Sequence, residues 1–138
     1  MDAPPPARHV VSGETILVVD DEEVVRRLVA RMLLDGGFRV VEAPDGVAAL
    51  ERLRRDSGDI AAVVTDVVMP RMDGRQLAAA IAECWSHIRV LYMTGYPRDR
   101  MTTAGRLYPG VPILYKPFTG EQLVRRLRDL LAPRGGPH

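Results

Sequence analysis

Five short apolar runs recur along the chain, and most of the gaps between them fit one helix: TILVV (15–19), RVVEA (39–43), AAVVT (61–65), RVLYM (89–93) and PILY (112–115). Most are rich in β-branched residues. None shows clean apolar–polar alternation, as expected of strands buried on both faces. The segments between them carry helical spacing. Val24, Leu28, Arg31 and Met32 mark a helix over 23–34, stopped by Gly36-Gly37. Asp45 is a candidate cap for a helix with Val47, Leu50 and Leu53, and Leu77, Ala80, Ile81 and Cys84 mark another over 74–85. A less regular helix is predicted over 98–107. Thr119-Gly-Glu-Gln122 has the form of a capping box ahead of Leu123, Leu127, Leu130 and Leu131. Five such βα units predict an α/β domain: a doubly wound parallel sheet with helices on both faces.

Composition narrows the class. At 138 residues the chain suits one domain with a real core. A net charge of +1 gives no field favouring nucleic acid or an anionic membrane, and no helix-turn-helix follows residue 132. No apolar run reaches the roughly 18 residues of a membrane span. The opening MDAPPPARHVVSGE lacks a signal peptide's apolar stretch. Cys84 is the single cysteine, which excludes an internal disulfide and fits a cytoplasmic protein. The Pro- and Gly-rich ends, 1–13 and 133–138, are predicted to be disordered tails around a domain spanning 14–132.

Doubly wound sheets bind ligands at the carboxyl ends of their strands. That rule gathers distant residues. The first strand runs into four acids, Asp20, Asp21, Glu22 and Glu23; the third ends at Asp66, the fourth at Thr94 and the fifth at Lys116. Lys116 is the only lysine beside eighteen arginines, which is either chance or a need for a compact ammonium. Three carboxylates at one edge repel unless a cation sits among them, and hard oxygen ligands suit Mg²⁺. With a lysine and a hydroxyl added, the set suits phosphoryl transfer to a carboxylate nucleophile.

These residues carry a resemblance. ILVVDDE (16–22), VVTDVVMPRMDG (63–74), MTG (93–95) and YKPF (115–118) resemble, in order and spacing, the response-regulator receiver domain of two-component signalling, stand-alone or from a hybrid histidine kinase. The resemblance implies a flavodoxin-like five-stranded sheet in the order 2-1-3-4-5. It implies Asp66 as phosphoacceptor and Mg²⁺, or Mn²⁺, on Asp21, on Asp20 partly through water, on Asp66 and on the Val68 carbonyl. Thr94 and Lys116 would contact the phosphoryl group, with Lys116–Pro117 cis. Implied partners are a histidine kinase or histidine phosphotransfer protein, docking near the first helix and the loop after Lys116, and an unidentified downstream protein. The resemblance also allows a homodimer. The chain departs from the family at Ile113, where an aromatic residue often reports phosphorylation; its aromatic is Tyr115 instead. Val68 and Tyr96 flank the implied water path to the phosphoryl group, and their bulk predicts slow self-hydrolysis.

Other readings stay open at this level. Asp20 or Asp21 could merely cap the helix that follows, Thr94-Gly95 could be only a turn, and Asp73-Gly74 reads as a helix start. Arg125, Arg126 and Arg128 read as a solvated helix face or a partner surface. His9, His87 and His138 are too scattered for a metal site. A degenerate receiver would serve as an unphosphorylated protein-binding scaffold. A haloacid-dehalogenase-like phosphohydrolase would share the Mg²⁺, Asp and Lys chemistry but needs Asp-x-Asp after the first strand. A nucleotide-binding module lacks its Gly-rich, lysine-bearing loop.

Overall fold

A computed structural model describes residues 13–95 and 110–132. They form β1 (Thr15–Val19), α1 (Glu23–Asp35), β2 (Arg39–Ala43), α2 (Gly46–Asp56), a single 3₁₀ turn (Ser57–Asp59), β3 (Ile60–Asp66), α3 (Gly74–Cys84), β4 (Arg89–Thr94), β5 (Ile113–Tyr115) and α4 (Gly120–Leu131). The predicted helix over 98–107, Tyr96 and the tails over 1–12 and 133–138 lie outside the described residues.

All pairings are parallel, and the sheet order is β2-β1-β3-β4-β5, as the resemblance implied. Successive strand residues enter opposite layers. Leu17, Val19, Val63, Val90 and Tyr92 pack with Ala49 and Leu53 of α2 and Leu77, Ala78 and Ile81 of α3. Ile16, Val18, Ala62, Val64, Leu91 and Met93 pack with Val29 and Leu33 of α1 and Leu123, Val124 and Leu127 of α4. Strands covered on both faces have no use for polar residues at alternate positions, which explains the apolar interiors of β1, β3 and β4; β2, at the sheet edge, keeps Arg39 and Glu42 exposed.

Strand limits differ little from the sequence reading. The last strand starts at Ile113, one residue later than PILY, because Pro112 has no N–H to donate; its carbonyl still accepts from Tyr92 N at 2.9 Å. Both α3 and α4 start in full capping boxes: Asp73 with Gln76, and Thr119 with Gln122. Asp45 caps α2 by accepting from Ala48 N at 2.8 Å.

The buried face of α1 requires a correction. Val24 is 81% exposed, Leu28 55%, and Arg31 is also exposed; Val29, Ala30 and Leu33 point inward instead. The helix carries apolar residues most of the way round, so spacing alone could not choose the face. Contact with both the sheet and α4 chose it. Val47 and Cys84 are likewise exposed. In the basic stretch of α4, Arg128 donates to the Gly36 carbonyl at 3.3 Å and Arg125 pairs with Glu121 at 3.4 Å.

Candidate functional site

Register assembles the site. Val19 pairs with Thr65, Asp66 with Met93, and Thr94 with Tyr115. The residues one step beyond, Asp20 and Lys116, therefore meet Asp66 and Thr94 at the carboxyl edge. Asp21, Glu22, Asp66, Val68, Thr94, Gly95 and Lys116 line a cavity of about 360 Å³ there.

The two adjacent acids differ sharply. Asp20 is fully buried and Asp21 exposed. Asp20 Oδ1 accepts from Glu22 N at 2.9 Å, whereas its buried Oδ2 has no hydrogen-bond partner. The side chains of Asp20, Asp21 and Asp66 each offer an oxygen within 4.8 Å of the others, the one such cluster of three among the described residues. Lys116 Nζ stands between two of them, 3.8 Å from Asp20 Oδ2 and 3.9 Å from Asp66 Oδ2. At these distances the ammonium attracts both carboxylates without tightly bonding either.

Burial sets the charge balance. It raises the pKa of Asp20, against the opposing pull of the Glu22 amide and of Lys116. It pushes Asp66 up to about 6, with the Asp20 charge adding to the rise and Lys116 lowering it. Removing a carboxylate from water disfavours its charged form, and a second carboxylate disfavours it further. One ammonium among three acids leaves the cluster short of positive charge. The orphaned Oδ2 and the all-oxygen donor set fit a hard divalent cation.

Asp66 Oδ1 accepts from Val67 N at 2.7 Å. The loop that follows is held close by Gly74, whose N–H donates to the Val67 carbonyl at 2.8 Å. A Cβ on Gly74 would lie 2.2 Å from the Asp66 carbonyl oxygen. Thr94 is buried, Val68 is 48% exposed at the cavity wall, and Lys116–Pro117 is cis. Ile113 and Tyr115 are half-buried and pack against the same core layer as Tyr92.

The structure thus brings Asp20, Asp21, Asp66, Val68, Thr94 and Lys116 together, and Tyr96 lies outside the described residues. Sequence reasoning missed Arg26. Its Nε donates to Glu42 Oε1 at 2.9 Å and its Nη1 to the Asp20 carbonyl at 3.0 Å. It also missed Arg71, which has a φ of 66° and pairs with Asp45. Among eighteen arginines neither stood out; Glu42, an acid placed after the two valines of the RVVEA strand, was the available signal for the first.

The protein-family model described as "Response regulator receiver domain" matches residues 16–128. The sensor kinase CckA of Brucella abortus is 35% identical over 125 residues, covering 91% of this chain and 13% of that kinase. The response regulator MprA of Mycobacterium leprae is 38% identical over 116 residues, 84% of this chain and 50% of that protein. The chain therefore spans at most about half the length of these curated relatives. Among solved structures, a response regulator receiver protein from Sinorhizobium medicae WSM419 superposes with a TM-score of 0.75 at 32% identity, covering 86% of this chain and 94% of that one.

Proposed function

This chain belongs to the response regulator receiver domain family, a signalling module of two-component systems rather than a catalytic enzyme, and on that premise we propose that Asp66 is its phosphoacceptor. One observation carries the reading: Asp66 shares a cluster with two other carboxylates while the only lysine of the chain spans two of the three.

With a pKa of about 6, Asp66 is mostly ionised at neutral pH. Its carboxylate oxygen attacks the phosphorus of a phosphohistidine. The P–N bond breaks, imidazole leaves with the bonding pair and takes up a proton, and an acyl phosphate forms on Asp66. Asp20, Asp21, Asp66 and the Val68 carbonyl would hold Mg²⁺, with Mn²⁺ as the alternative. When bound, the ion neutralises charge developing on the phosphoryl oxygens. Lys116 pairs with a phosphoryl oxygen, and the Thr94 hydroxyl donates to another. The donor is a histidine kinase or phosphotransfer protein, which places the chain in the cytoplasm. The Val68 side chain presents no polar atom to orient a water, so the phosphoryl group is lost slowly. A self-hydrolysis half-life of seconds would contradict that point. Ile113 has no ring to rotate, so output does not run through an aromatic at that position.

Acetyl phosphate with intact-mass detection tests the reading. The expected result is a gain of one phosphoryl group that requires Mg²⁺ and is absent in Asp66→Asn. No gain, under conditions that label a control receiver, would overturn the phosphoacceptor reading in favour of a scaffold.

A further inference from the structure

The turn from β1 into α1 is held by one guanidinium that the proposed chemistry does not use. Arg26 lies in the first turns of α1, and its side chain is only 13% exposed. Nε donates to Glu42 Oε1 of β2 at 2.9 Å, and Nη1 donates to the Asp20 carbonyl at 3.0 Å. Asp20 N donates to the Ala43 carbonyl at 3.3 Å, and Asp20 Oδ1 accepts from Glu22 N at 2.9 Å. Both backbone polar groups of Asp20 and one carboxylate oxygen are thereby committed. The oxygen left over is the buried Oδ2, facing the carboxylate cluster and Lys116.

We infer that Arg26, anchored by Glu42, is a positioning residue for divalent-cation binding: it fixes the Asp20 carbonyl so that the buried Asp20 carboxylate and the exposed Asp21 carboxylate converge on the same ion. The inference rests on reading those acids as cation ligands. Arg26 supplies a fork with two donors on different edges, one aimed at Glu42 on β2 and one at the Asp20 carbonyl just past the end of β1. Lysine keeps the charge but loses that geometry. Groups that orient metal ligands without touching the metal typically alter affinity ten- to a hundredfold, at roughly the scale expected here.

Positioning and charge predict opposite signs. A cation beside a cation site weakens binding by repulsion. If Arg26 acted only through its field, Arg26→Gln would bind Mg²⁺ more tightly and Arg26→Lys would match the native chain. If it positions the turn, both variants bind Mg²⁺ about tenfold more weakly. Glu42→Gln, which keeps an acceptor for Nε, loses less.

The experiment titrates MgCl₂ into the full chain by calorimetry for the native protein and these three variants. Amide hydrogen exchange at Glu22 is followed in parallel in the metal-free chains, against Val63 in the core as the measure of global stability. The expected result is weaker Mg²⁺ binding in both Arg26 variants, with Glu22 exchanging faster while Val63 is unchanged. Native affinity in Arg26→Lys with unchanged Glu22 exchange overturns the inference, whatever Arg26→Gln does. If the native chain takes up no Mg²⁺, the cation reading itself has failed; Glu22 exchange then decides alone whether Arg26 holds the turn.

Discussion

The two loops that bring carboxylates to the site are held in different ways. Residues 20–22 form a short turn tied to its own strands: Asp20 N bonds to the end of β2, Asp20 Oδ1 takes the Glu22 amide, and Arg26 returns to the Asp20 carbonyl. Residues 67–73 form a longer loop held by tight packing of its own two ends and by contacts to the start of α2. Gly74 closes against the Asp66 carbonyl, Arg71 reaches across to Asp45, and Met72 packs on Gly46, where a Cβ would lie 2.7 Å from Met72 Cγ. The first loop is closed by hydrogen bonds within a few residues and one strand neighbour. The second depends on close approach, of Gly74 to Asp66 across its own ends and of Met72 to Gly46 of α2. A single added methyl should therefore harm the second loop far more than the loss of a whole charge harms the first.

The largest expected effect tests that contrast directly. Gly74→Ala places a methyl against backbone that cannot rotate away, and should cost about 3 kcal/mol in a urea melt and displace the Asp66 carboxylate. A loss under 1 kcal/mol would show that the loop yields, and the contrast would fail.

Asp66→Asn should move stability the other way. Asp66 ionises near 3.8 when unfolded and near 6 when folded, so between those values the folded chain holds a proton that the unfolded chain releases. Native stability therefore falls as pH rises through that window and stays low above it. Without metal at pH 8, Asp66→Asn should be more stable than the native chain by about 2–3 kcal/mol, with the difference vanishing below pH 3.8. A pH-independent difference would deny the raised pKa.

Asp45→Ala removes both the α2 cap and the partner of Arg71, and should cost about 1–2 kcal/mol at pH 7. The Ala48 amide, with Arg71 behind it, lowers the pKa of Asp45, so its contribution is complete above the unfolded value of 3.8 and is lost as pH falls below it. Thermal melts at pH 7 and pH 3 should show the penalty shrinking. The smallest effect belongs to the other loop. Asp21→Asn, at an exposed position, should change metal-free stability by less than about 0.5 kcal/mol while weakening Mg²⁺ binding. A larger stability change would mean the short turn depends on its exposed charge after all.

Much of the fold was legible in the chain. Apolar runs of strand length, β-branched content and turn signals located all five strands to within a residue or so; the inner strands β1, β3 and β4 are the most nearly apolar because both their faces are buried, whereas β2, at the sheet edge, keeps Arg39 and Glu42 exposed. The caps at Asp45 and Thr119 were legible because capping chemistry is local. The site was legible as a set of strand ends, since a parallel sheet puts all its carboxyl ends on one edge.

Contacts between distant segments were decided only by the tertiary structure. The inward face of α1, misread from spacing, was set by its docking on the sheet and α4. Nothing in the adjacent pair Asp20-Asp21 says that one is fully buried and the other exposed; the end of the β1 ladder and the reach of Arg26 impose it. Arg71 meets Asp45 across 26 residues, and Arg26 meets Glu42 across 16. Local sequence fixes the strength of a residue's preference for strand, helix or cap. It does not fix which of eighteen guanidiniums finds a carboxylate, because that depends on how the folded segments lie against one another.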